Sequence, residues 1–154
     1  KMKSREIHKK YLCIVCGRPS PPEATLEGFL EKNEKQNRVY IENKRSENGK
    51  TILTHYRVID TINGFSLVEI DLLTGRTHQI RAHMASIGHP LLGDGKYGTN
   101  KINRSAGYYK QVLCSYQLSF EFTSDAQDLQ YLDGKTFEIS DIPFRNDFYA
   151  GKIK

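Results

Sequence analysis

Short runs rich in β-branched and aromatic residues divide the chain into segments that are typical of β-strands. We predict strands at 10–16, 38–41, 51–62, 65–72, 112–122 and 136–139. Asn63-Gly64 joins two of the longest runs and suits a two-residue type I′ turn, so these two strands are expected to be antiparallel neighbours. Loops are predicted at 18–22 and 43–49, and a second tight turn at Asp133-Gly134.

One segment follows the period of a helix. Ile80, Met84 and Ile87 recur at i, i+4 and i+7, which gives a helix one apolar face. Thr77 offers an N-cap hydroxyl, and Gly88 lies where a C′ glycine would end the helix. The pattern therefore predicts one well-defined helix directly after the strand 65–72.

These elements predict an α+β fold, with a mostly antiparallel mixed sheet and one principal helix on it. Residues 1–9 are expected to form the tail of a charged helix. A length of 154 residues suits one domain, and 38% hydrophobic with 27% charged residues is ordinary for a globular chain. No apolar run approaches the ~18 residues of a membrane helix and no signal-peptide pattern opens the chain, so we expect a cytoplasmic protein without membrane association.

The net charge of +5 is unevenly distributed along the chain. Residues 1–50 carry 12 Lys/Arg against 7 Asp/Glu, residues 51–110 carry 7 against 4, and residues 111–154 carry 4 against 7. A basic front with a mildly acidic tail is compatible with a nucleic-acid-binding face on the first two thirds. Many basic proteins bind no nucleic acid, so charge alone decides little.

The start of the predicted helix is basic, where acidic residues would be more stable. Arg76, His78 and Arg81 lie in its first turns, and no Asp or Glu lies between Gly75 and Gly88. Free N–H groups, the helix dipole and the guanidinium groups would together favour an anion, either a phosphate or a buried carboxylate. The alternative is an ordinary helix with solvated arginines.

Three weaker patterns are set aside. Cys13 and Cys16 form a C-x-x-C, but side chains three apart on a strand point to opposite faces, so we expect structural cysteines. The glycine-rich run 93–98 fits G-x-G-x-x-G without the strand and helix that a dinucleotide site requires. His78 and His83 lie five apart, about 140° around a helix, so no metal site is predicted.

Four segments form a recognisable set. They are Lys10-Tyr11-Leu12 followed by Gly17; the strand 49–58 with Thr54, Tyr56 and Val58; the run 73–83 continued by 88–90 and 93–98; and the strand 113–120. This set resembles the motifs of the RluA-type RNA pseudouridine synthase family, over roughly residues 6 to 148. The resemblance implies an enzyme that isomerises uridine to pseudouridine in RNA, with no cofactor.

The resemblance also implies roles for particular side chains. Tyr11 matches the active-site tyrosine that stacks on the flipped-out base, although a core strand tyrosine is the alternative. Arg81 matches the arginine that pairs with the catalytic aspartate and keeps it ionised. We therefore expect Tyr11 and Arg81 to be the catalytic residues of this chain.

Four further residues are expected to contact RNA. Arg76 and His78 would orient the RNA or support the motif, and Lys96 and Tyr97 on the glycine-rich loop would touch phosphate unless they are simply exposed. His83 is expected to be a hydrogen-bonding structural residue instead of a catalyst.

One departure from the family pattern is decisive. The family's catalytic aspartate lies in a His-Arg-Leu-Asp segment upstream of the tyrosine motif, and this chain contains no such segment. The chain also opens on Lys1 instead of Met. We therefore expect residues 1–154 to be the C-terminal part of a pseudouridine synthase catalytic domain, inactive alone.

The expected partner is RNA, ribosomal in preference to transfer RNA, and the intact protein is expected to be a monomer. Two alternatives stay open at this point. One is a non-catalytic RNA-binding module of the same fold, and the other is an unrelated domain that binds an anion at the start of the helix.

Overall fold

The computed structural model describes residues 7–33, 38–42, 50–72, 77–94, 111–120 and 134–153. Within these ranges the strands are β1 (Ile7–Cys16), β2 (Glu23–Asn33), β3 (Arg38–Glu42), β4 (Lys50–Ile62), β5 (Phe65–Leu72), β6 (Leu113–Phe120) and β7 (Thr136–Glu138). The helices described are α1 (Thr77–Ser86) and α2 (Pro143–Tyr149).

All seven described strands belong to one sheet in the order β3-β2-β4-β5-β1-β6-β7, and every described pairing is antiparallel. The turn between β4 and β5 sets the register at the centre, because Ile62 pairs with Phe65. Asn63 and Gly64 both have positive φ, 56° and 81°, as a type I′ turn requires. The predicted hairpin is confirmed.

Side chains of β1 alternate between two apolar clusters, one on each face of the sheet. Leu12 and Ile14 belong to one cluster, and Cys13 and Val15 belong to the other. β1 lies between β5 and β6, so it is an interior strand of the sheet with apolar side chains buried on both faces.

In the part of the chain that the structure describes, one helix packs on each face of the sheet. On the α1 face, Ile80 and Met84 pack with Cys13 and Val15. On the α2 face, Phe148 packs with the cluster that contains Leu12 and Ile14. The predicted α+β class with a principal helix on an antiparallel sheet is therefore confirmed, and a second short helix is added.

Three elements differ from the sequence-based expectation. The predicted helix tail over residues 1–9 is wrong for residues 7–9, because β1 begins at Ile7. β2 was not predicted, since its sequence is interrupted by Glu and Lys. It pairs with β4 over residues 23–30 and with β3 over residues 29–33. α2 was also missed; it is short and begins with Pro143, a residue that suits a first helical turn.

The end of α1 follows the predicted glycine cap. Gly88 has φ +86°, its N–H donates to the carbonyl of Ala85, and the N–H of His89 donates to the carbonyl of Met84. These two bonds are those of a Schellman motif. At the other end, Thr77 is the first helical residue and not the cap before it. Neither of the two helices described is long and apolar enough to cross a membrane.

Candidate active site

Arg81 on α1 is held by a carboxylate within the chain. Its Nε lies 2.8 Å from Oδ2 of Asp94, and its Nη2 lies 2.9 Å from Oδ1, so the pair is bidentate. Asp94 is fully buried, and the Arg81 side chain is 13% exposed. A charge-assisted bond through both carboxylate oxygens fixes the plane of the guanidinium group.

Asp94 is positioned by the segment that follows α1, which is tied to the centre of the sheet. The N–H of Leu92 donates to the carbonyl of Ile14 at 2.8 Å, and Leu91 forms an isolated bridge with Val15. The Asp94 N–H then donates to the carbonyl of Leu91 at 3.2 Å. The carboxylate that holds Arg81 is therefore anchored on β1.

A buried polar network connects α1 to β4. Nδ1 of His83 lies 2.8 Å from Oγ1 of Thr54, and Nε2 of Gln79 donates to the same oxygen at 3.0 Å and to the carbonyl of Leu53 at 3.1 Å. Burial lowers the pKa of His83 to about 4, so the ring is neutral at physiological pH. These contacts fit the structural role expected for His83.

Tyr11 lies on β1, on the same face of the sheet as α1. It pairs with Ile70 of β5 and packs, partly buried, against the cluster that contains Ile80 and Met84. Tyr11 and Arg81 therefore lie on the same side of the sheet. Tyr11 belongs to strand β1, and Arg81 belongs to α1, the helix that packs on that face.

The residues expected to contact RNA are only partly covered by the structure. His78 lies in α1 and is partly exposed. Arg76, Lys96 and Tyr97 lie outside the described residues. Their RNA-binding roles stay predictions.

The cysteine pair behaves as the strand geometry predicts. Cys13 belongs to the cluster under α1, whereas Cys16 packs against the cluster on the α2 face. Burial raises the pKa of Cys13, so its thiol stays protonated. Within the described ranges, no group of three or more His, Cys, Asp or Glu side chains could hold a metal ion.

A second charged network lies on the α2 face of the sheet. Glu69 accepts a hydrogen bond from the Tyr116 hydroxyl, and Lys10 and Arg57 lie 3.6 and 3.3 Å from its carboxylate. Burial raises the Glu69 pKa, but the bond from Tyr116 and the two positive charges outweigh it and lower the pKa. This network is separated from Arg81 by the sheet.

Sequence reasoning missed three residues that shape the Arg81 side of the sheet. Asp94 lies in the glycine-rich run 93–98, two residues after the apolar pair Leu91-Leu92, and no local pattern in the sequence indicates that it pairs with Arg81. Thr54 and Gln79 lie within segments of the family resemblance, but their buried polar contacts depend on how α1 docks on β4.

The comparisons with known proteins agree with this architecture. The model of the family described as RNA pseudouridylate synthase matches residues 1–86, a range that includes both Tyr11 and Arg81. A solved structure, human RNA Pseudouridylate Synthase Domain Containing 4, superposes with a TM-score of 0.72 at 19% identity, over 97% of this chain and 64% of that one. That similarity shows the fold.

Two curated relatives carry more specific names. The chain is 38% identical to ribosomal large subunit pseudouridine synthase D of Zymomonas mobilis over 122 residues, 74% of this chain and 37% of that protein. It is 37% identical to ribosomal large subunit pseudouridine synthase C of Rickettsia prowazekii over 101 residues, 65% of this chain and 33% of that protein. The chain therefore spans between a third and two fifths of the length of these relatives.

The family match excludes the unrelated anion-binding domain that the sequence alone had left open. With its antiparallel sheet, its arginine-bearing helix and this match over more than half of its length, the chain belongs to the RNA pseudouridylate synthase family.

Proposed function

We propose that the protein containing this chain is an RNA pseudouridine synthase that modifies ribosomal RNA in the cytoplasm. The observation that carries the proposal is the placement of Tyr11 and Arg81 on one face of the sheet, within the segment that matches the family. The ribosomal substrate is suggested by the names of the two relatives described above.

Arg81 supplies the electrostatic part of the proposed reaction. Detaching uracil from its ribose and rejoining it through C5 breaks the N1–C1′ bond and forms a C5–C1′ bond. The proton on C5 is lost and N1 gains one, so the product is an isomer of uridine and there is no net oxidation. The catalytic carboxylate must stay ionised to act as nucleophile or base. A guanidinium group beside a carboxylate lowers its pKa and so favours the charged form.

Tyr11 supplies the surface for the base. A uridine within structured RNA has to leave its stack before its glycosidic bond is accessible, and an aromatic ring can then hold it by stacking. Tyr11 is anchored on a central strand, which gives the ring a rigid support. We propose that its hydroxyl assists a proton transfer at the base.

The catalytic carboxylate is proposed to come from outside residues 1–154. The chain has no His-Arg-Leu-Asp segment, and the carboxylate that Arg81 contacts, Asp94, is fully buried and paired. We therefore propose that the chain is a partial catalytic domain that is inactive alone. We also propose that the intact protein is a monomer.

The test uses the protein translated from the complete reading frame. Ribosomal and transfer RNA transcripts labelled with 5-tritiated uridine are incubated with it separately, and tritium release is measured. Release from ribosomal RNA, in the presence of a metal chelator and without added nucleotide, is the expected result. Binding of RNA without any tritium release would instead indicate a non-catalytic RNA-binding module.

A further inference from the structure

We infer that Asp94 is a positioning residue for catalysis, which holds the Arg81 guanidinium in the orientation that the catalytic carboxylate meets. This inference rests on the proposed function of Arg81. Asp94 does not touch the substrate, because its side chain is fully buried. Its effect on the reaction is transmitted through Arg81.

The geometry of the pair supports orientation as its role. Arg81 has five N–H donors in a planar group, and Asp94 engages the edge formed by Nε and Nη2. Two parallel bonds to one carboxylate fix both the position and the plane of the guanidinium. A second carboxylate would then meet Arg81 through a different edge, in a defined direction.

Asp94 is itself fixed relative to the strand that carries Tyr11. The segment before it is bonded to the backbone of Ile14 and Val15 on β1, three and four residues beyond Tyr11. The ion pair therefore fixes the guanidinium group of Arg81, which α1 carries, relative to β1, the strand that carries Tyr11. Docking of α1 by apolar side chains alone would fix the helix but not the end of a long, flexible arginine.

The energetics also favour a positioning role over a purely stabilising one. A buried ion pair adds little net stability, because removing both charges from water costs about as much as their attraction returns. A similar apolar pair would hold α1 on the sheet equally well. The pair is better explained by the need to keep a charged arginine in one orientation.

The test compares variants of the complete protein by kcat and KM on ribosomal RNA. Asp94→Asn keeps the shape of the side chain but removes its charge and turns one acceptor into a donor facing Arg81. We expect kcat per folded molecule to fall about 10- to 100-fold, with KM within about twofold of the wild-type value. Circular dichroism and thermal melting establish the folded fraction.

The double variant Arg81→Lys/Asp94→Asn separates positioning from an independent role. If Asp94 acts through Arg81, adding Asp94→Asn to Arg81→Lys should lower kcat by less than about twofold further. Glu69→Gln is the matched control, because it also removes a paired carboxylate but on the α2 face; its kcat should equal that of the wild type. If Asp94→Asn fails to fold, Asp94→Glu replaces it in the test, because it keeps the charge and moves it by one methylene. Asp94→Glu should also lower kcat.

Several outcomes would reject the inference. A wild-type kcat in either folded Asp94 variant would reject the inference. It would also be rejected if the fold reduction in kcat of the double variant equalled the product of those of the two single variants. A reduction in kcat for Glu69→Gln as large as that for Asp94→Asn would reject it as well. Failure of the proposed function has a different signature, since the wild-type protein would then release no tritium from any RNA.

Discussion

His83 on α1 and Thr54 on β4 are joined by a buried hydrogen bond of 2.8 Å between Nδ1 and Oγ1. Both residues are almost fully buried, and Gln79 donates to the same threonine oxygen. The helix that carries Arg81 is therefore attached to the sheet through a polar contact as well as through apolar packing. That contact contains a group which titrates.

We predict that the burial of His83 at this contact makes the stability of the protein depend on pH. The His83 pKa falls from 6.5 to about 4 on folding, so the unfolded state binds more protons between these values. The stabilisation is fully present above pH 6.5, is lost as the pH falls toward 4, and amounts to at most about 3 kcal/mol. Urea unfolding of the complete protein between pH 4 and 8 measures it.

The variant His83→Asn is the control for this prediction, because its amide can still reach Thr54 but does not titrate in this range. The difference in unfolding free energy between wild type and variant should shrink as the pH is lowered. Parallel curves for the two proteins would contradict the prediction.

A second prediction concerns the contact between Gly17 and His89. Gly17 has φ +78°, and a Cβ added there would lie 2.9 Å from Nδ1 of His89, which is hydrogen-bonded to the carbonyl of Cys16. Gly17→Ala should therefore strain the backbone and also displace the His89 ring, at a cost of at least about 2 kcal/mol in unfolding free energy.

Gly64→Ala is the matched control for this substitution. Gly64 has a similar φ of +81°, but nothing lies within 4 Å of an added Cβ. It should lose about 1 kcal/mol from backbone strain alone. Equal losses for the two variants in urea unfolding would show that the His89 contact is unimportant.

A third prediction tests the role of Tyr11. Tyr11→Phe keeps the aromatic ring, so RNA affinity and the fold should be retained while tritium release slows because the hydroxyl is lost. If Tyr11 is only a core residue, the change removes at most about 1 kcal/mol of stability and leaves kcat unchanged. Single-turnover kinetics with a separate measurement of RNA binding distinguish these results.

A fourth prediction tests whether the guanidinium shape of Arg81 is required. Arg81→Lys keeps the positive charge, but an ammonium group cannot bond both oxygens of Asp94 in the same planar arrangement. Most of the activity of the complete protein should be lost while RNA binding is retained. Near-normal turnover would mean that the wrong arginine had been identified, and Arg76 would be tested next.

The sequence predicted the elements whose local signals are strong. The strand Phe65–Leu72, the Asn63-Gly64 turn and the Gly88 cap each follow from residues within a few positions of one another. β2 escaped prediction because its charged residues obscure the alternation, and pairing with β3 and β4 stabilises it.

The same distinction applies to the candidate site. The basic start of α1 indicated an anion, and the family resemblance singled out Arg81 and Tyr11. The partner that Arg81 has in the structure, Asp94, lies thirteen residues further along, beyond the end of the helix. Its place depends on how the following segment docks on β1, which no local pattern in the sequence specifies.

Whether catalysis requires a carboxylate from outside residues 1–154 is tested by tritium release from 5-tritiated uridine in ribosomal RNA, measured in parallel for residues 1–154 alone and for the complete protein. We expect release by the complete protein and none by the 154-residue chain, because we propose that the catalytic carboxylate comes from outside that chain. Turnover by residues 1–154 alone would contradict it, and so would a complete protein that binds RNA but releases no tritium.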